Sequence, residues 1–127
     1  MKILKGIASG MVMQRTADGC EIMFTAETVG EMKTTMGCVE KVGERFRLTG
    51  VPVGGPYDIE LTDDAGSAVL RGVYVGDVWL LGGQSNMEGA GLRRDCDREY
   101  DANPNPAIRA YFLDDSWRPA CAGLHQQ

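Results

Sequence analysis

The sequence predicts a mainly β fold. An antiparallel β-sandwich, jelly-roll-like, is expected over residues 1–72. The first strand-helix unit of an incomplete α/β domain is expected over residues 73–127. Three observations carry this. Short segments alternate apolar and polar residues with period two, turn residues recur between them, and one later segment, "VWLLGG", is apolar without alternation. Glycine supplies 17 of 127 residues, nearly twice the usual ~7%. Glycine serves sharp turns and close backbone approach, so a turn-rich sheet is favoured over a helical bundle.

The strands follow in chain order. "CEIMFTA" sets Cys20, Ile22, Phe24 and Ala26 on one side against Glu21, Met23 and Thr25. "ERFRLT" turns Phe46 and Leu48 inward and Arg45, Arg47 and Thr49 outward. "YDIELT" repeats the pattern with Tyr57, Ile59 and Leu61 against Asp58, Glu60 and Thr62. Such alternation marks strands with one face on a core and one in water. Turns are expected at "ADG" (17–19), "VPVGGP" (51–56) and "DDAG" (63–66). Strands at these short intervals point to a sandwich.

Residues 78–83 then change character. A strand apolar on both faces is usually central in a sheet covered by helices. The following "SNMEGAGLRRD" is expected to open a helix, with Ser85 or Asn86 at its cap. "NPNP" (103–106) reads as a turn and "AIRAYFL" (107–113) as another strand.

Composition narrows the function. A net charge of −5 without a basic block leaves little to neutralise phosphates, so nucleic acid is not an expected partner. No run of 18 apolar residues predicts a membrane span. Lys5 and Gly6 interrupt any signal-peptide core in "MKILKGIASG", so the chain as given reads as cytoplasmic, or as the mature form of an exported protein. The four cysteines, Cys20, Cys38, Cys96 and Cys121, form no C-x-x-C pair, so neither a zinc site nor a redox motif is expected. Buried free thiols and a Cys20–Cys38 disulfide in an oxidising compartment both stay open.

Several motifs can be set aside. "GGQSNMEG" lacks the lysine of a phosphate loop, and "GAGLRR" has Arg94 where a dinucleotide fingerprint needs glycine. Asp95, Asp97, Glu99 and Asp101 resemble a calcium loop, but Tyr100 and Pro106 occupy its glycine and final glutamate positions. No metal and no cofactor is therefore expected. The G-x-S-x-G elbow is half met, since Gly83 precedes Ser85 by two but Met87 follows by two. What survives is a serine between a buried strand and a helix N-terminus. Active sites of open α/β sheets lie beyond the C-terminal strand ends, and a helix N-terminus offers N–H groups to a developing oxyanion. A plain capping role for Ser85 accounts for the same position.

"VGDVWLLGGQSNMEG" resembles the nucleophile block of the SGNH (GDSL-like) hydrolases, in the carbohydrate-esterase branch of sialate O-acetylesterase type. In that branch Gly-Asp-Ser is replaced by Gly-Gln-Ser-Asn-Met, matched here by Gly83, Gln84, Ser85, Asn86 and Met87. "GMVMQR" (10–15) is similar to the family's "MVLQR" opening, "GGPYDIEL" (54–61) to the end of its N-terminal β-domain, and "IRAYFLDDSWRPA" (108–120) to the strand after the nucleophile helix. The resemblance covers only the beginning of a longer family member. It implies removal of O-acetyl groups from sugars through an acyl-serine intermediate. Ser85 would be the nucleophile and its backbone N–H an oxyanion donor. Gly83, Gln84 and Asn86 would shape the turn and contact substrate.

The resemblance also defines what the chain lacks. A serine needs a base, and the base needs orienting. The family's later glycine and asparagine donors and its His/Asp block have no match here, and the one histidine, His125, is not where the motif places the base. The chain alone is expected to be inert. A further hydrolase segment or a homo-oligomer partner is expected to cover the sheet begun at residue 73, since about 55 residues fall short of the ~100 of an α/β domain. The alternative reading is a non-catalytic β-sandwich module that binds carbohydrate or serves structure and assembly.

Overall fold

The structure, a computed structural model, describes residues 1–83 and 103–120. These residues are mainly β, with ten strands and no helix among them. The helix expected after Ser85 lies outside the described residues. Two compact units divide the chain, Met1–Val78 and Trp79–Gln127.

The first unit holds β1 (Lys2–Lys5), β2 (Val12–Thr16), β3 (Gly19–Glu27), β4 (Lys33–Thr34), β5 (Cys38–Val42), β6 (Arg45–Thr49), β7 (Gly54–Thr62) and β8 (Ser67–Gly76). The division expected after residue 72 thus falls inside β8. All eight strands join one sheet in the order β4-β7-β8-β2-β3-β6-β5, with β1 added on β3. The two ends of that path, β4 and β5, lie against each other. The strip therefore curls toward a barrel.

The pairing is antiparallel except for β2 with β8, which run parallel through Val12↔Tyr74, Met13↔Val75 and Gln14↔Gly76. This departs from a purely antiparallel sandwich. A parallel pair cannot be closed by a tight turn and needs a long connection. Here β3 to β7 supply it. The alternating segments found in the sequence are all strands: Phe24, Phe46, Leu48, Ile59 and Leu61 are buried as expected. Phe24 faces Phe46 directly across β3 and β6, the rings stacked 5.6 Å apart.

Two irregularities lie between β7 and β8. From Gly54↔Val75 to Tyr57↔Val73 the extra residue is on β7; from Tyr57↔Val73 to Ile59↔Leu70 it is on β8. The second bulge cancels the first, so the register is regained from Ile59 onward. Each has its glycine. Gly55 sits at φ +126°, where a Cβ would come within 2.6 Å of the Val73 carbonyl oxygen. Gly72 sits at φ +62° and donates its N–H to Asp58 Oδ1 at 3.0 Å. The turn expected over 51–56 is thus partly strand, because β7 starts at Gly54 and bulges through these glycines.

The core of this unit is apolar. Met13, Leu48, Val51, Ile59, Leu61 and Val73 have no exposed surface, and no polar or charged residue is buried among the described residues. Cys20 and Cys38 are both free thiols, Cys20 buried and Cys38 exposed on β5, so the Cys20–Cys38 disulfide is not formed. Burial pushes the Cys20 thiol pKa up.

In the second unit the described residues form a small hairpin, β9 (Arg109–Tyr111) with β10 (Trp117–Pro119). β9 lies within the strand expected over 107–113. Tyr111 and Trp117 are opposite one another, ring centroids 5.5 Å apart. Phe112 is buried, with the Arg118 guanidinium 3.9 Å over its ring.

Candidate functional site

The route to the candidate nucleophile begins where β8 ends. The parallel ladder with β2 ends at Gln14↔Gly76, and the last two residues of β2 pair with β3, Arg15 with Cys20 and Thr16 with Gly19. Two side chains of β2 take over from the backbone. Gln14 Oε1 accepts the Val78 N–H at 3.0 Å while its Nε2 donates to the Arg15 carbonyl at 3.1 Å. Arg15 Nε donates to Asp77 Oδ1 at 3.0 Å.

The apolar run then departs from expectation. Residues 77–83 form no strand, and Trp79, Leu80 and Leu81 are 80%, 98% and 73% exposed. A strand exists only by pairing its N–H and C=O groups with neighbours. No described strand pairs with this segment, so its apolar pattern alone does not make it a central strand.

Of the expected site residues only Gly83 is described, and it is exposed. Ser85, Gln84 and Asn86 lie outside the described residues, as do His125, Cys96, Cys121 and the acidic series Asp95–Asp101. The structure therefore brings no set of the expected residues together. It does bring together residues that the sequence reading did not connect: Gln14 and Arg15 on β2, and Asp77, 62 residues on from Arg15. Their types, a side-chain amide and an ion-pairing couple, were visible. Their meeting depends on the parallel β2–β8 pair, which leaves no local signal.

The hairpin has its own polar set. Tyr111 Oη donates to Asp115 Oδ1 at 2.7 Å, and that bond raises the tyrosine pKa. Asp114 accepts from the Ser116 hydroxyl and faces Arg118; the hydroxyl first and the guanidinium second lower its pKa. Asp115 holds a positive φ of 60°, uncommon outside glycine.

Residues 75–127 match the family described as carbohydrate esterase, sialic acid-specific acetylesterase. The matched stretch starts at Val75 in β8 and contains the whole Gly83–Met87 motif. Among solved structures, a carbohydrate acetylesterase from Xanthomonas citri is similar, with 24% identity and a TM-score of 0.59. The alignment covers 93% of this chain and 32% of that one, so the chain spans about a third of that structure's length. No curated protein matches the chain. The resemblance to sialate O-acetylesterase-type carbohydrate esterases read from residues 75–89 is met by the family match, and the mainly β fold by the structural one.

Proposed function

We propose that this polypeptide serves the removal of O-acetyl groups from sugars, with Ser85 as the nucleophile. The observation that carries the reading is the family match over residues 75–127, which includes Gly83-Gln84-Ser85-Asn86-Met87. In the reaction Ser85 Oγ bonds to the acetyl carbon and loses its proton to a base. The tetrahedral oxyanion is met by backbone N–H groups, that of Ser85 included, and collapse expels the sugar oxygen, which takes up the proton. Water then attacks the acetyl-serine, releasing acetate. The helix expected after Ser85 belongs to this reading, because its N-terminus favours the oxyanion.

Residues 1–127 contain no Asp-x-x-His block. Without a base, turnover falls on the order of 10⁶-fold, so the 127-residue chain alone is expected to hydrolyse p-nitrophenyl acetate no faster than its Ser85→Ala variant. Extending the reading frame past Gln127 until such a block is included is expected to restore hydrolysis, and a fluorophosphonate probe then labels Ser85. Absence of both labelling and hydrolysis in the extended polypeptide rejects the esterase reading. A non-catalytic, carbohydrate-binding reading draws on the exposed Trp79 and on Tyr111, 57% exposed beside Trp117. It predicts sugar binding, read by tryptophan fluorescence, that survives Ser85→Ala.

A further inference from the structure

Gln14 and Arg15 do not serve the core. Both are exposed on β2, and the Arg15–Asp77 pair is 53% and 51% exposed at its two side chains. Ion pairs this open to water add little to stability. Their geometry is nonetheless specific. The Gln14 amide accepts from Val78 N–H and donates to Arg15 C=O, so it bridges a backbone donor just past β8 to a backbone acceptor on β2. The side chain thus links the two chains just beyond their last parallel pair, Gln14↔Gly76. Arg15 fixes the intervening residue, Asp77, by its carboxylate.

Both contacts fall on Asp77 and Val78, the last residues of the first unit and the opening of the stretch that matches the esterase family. Four residues, 79–82, separate them from the Gly83–Met87 motif, and no described strand pairs with these four. A segment with no ladder of its own takes its direction from its last fixed point.

We infer that Gln14 and Arg15 are positioning residues: they anchor the backbone at Asp77 and Val78, and so set the path by which the chain leaves the sheet toward Ser85. The functional part of this inference rests on the esterase reading; the anchor itself does not.

Amide exchange and ¹⁵N relaxation on the 127-residue chain test the anchor. In Gln14→Met the Val78 amide is expected to exchange at least ~10-fold faster, with core amides of β3, β6 and β7 unchanged. Arg15→Ala is expected to raise fast motion at Asp77 to Trp79, and the exchanged pair Arg15→Asp with Asp77→Arg to reverse it. A structural role confined to the sheet would move the core amides instead. In the extended polypeptide, fluorophosphonate labelling of Ser85 is expected to slow ~10–100-fold in Gln14→Met and Arg15→Ala, with recovery in the exchanged pair. Unchanged order at residues 77–79 overturns the anchor. Lost order with an unchanged labelling rate overturns the positioning role. If wild-type Ser85 is never labelled, the esterase reading fails, while exchange at Val78 still decides the anchor.

Discussion

Asp63 ties together two loops that are far apart in sequence. Its Oδ2 accepts the Val29 N–H at 2.9 Å, and its Oδ1 accepts those of Ala65 and Gly66 at 2.8 and 2.9 Å. The Val29 bond is the main reason its pKa lies below the usual carboxylate range, with the Ala65 and Gly66 bonds adding to it. The sign of the linkage follows. A carboxylate held more acidic in the folded chain contributes stability above its unfolded pKa, and that contribution is lost as pH falls through the folded value. Asp63→Ala is therefore expected to lower the urea midpoint at pH 7 and to match wild type more closely in strong acid. An equal deficit at both pH values would contradict this. The turn at "DDAG" was legible from residue types alone. The bond to Val29 was not, because a backbone N–H carries no sequence signature.

Strands β3, β6 and β7 were legible because one face of each meets the core, so burial and period two coincide. The Phe24–Phe46 pair is the clearest case. Phe24→Ala is expected to destabilise by about 3–5 kcal/mol. Its double-mutant cycle with Phe46→Ala is expected to give a coupling of about 0.5–1.5 kcal/mol, read from denaturant midpoints; additive effects would mean the rings share no interaction. Strand β8 was not legible, and the bulge explains why. Its buried Leu70 and Val73 are three residues apart, across the extra residue at Arg71–Gly72, so alternation breaks in mid-strand. β5 hides for another reason: its residues are almost all exposed, leaving no inward face to read. Residues 78–83 erred the other way, because an apolar run reports affinity for a core but not the partner strands that make one.

On the scale of the whole chain, the buried apolar residues from Ile7 to Val75 all belong to the first unit, and Phe112 alone among the described residues belongs to the second. Residues 1–78 produced alone are expected to keep their sheet, checked by overlay of their amide spectrum on that of the full chain. A collapsed, poorly dispersed spectrum would contradict this. The candidate site was legible as residue identities, through the Gly83–Met87 motif, and not as geometry, because the anchoring contacts arise only once β2 and β8 lie side by side. That adjacency also has a consequence for synthesis. β2 is made among the first 16 residues, yet its parallel neighbour ends at Gly76. A nascent chain emerging from the ribosome must carry β2 with one side unmatched until sixty further residues have been added. Distant pairings of this kind slow folding, so early segments of this polypeptide are the ones a chaperone would meet.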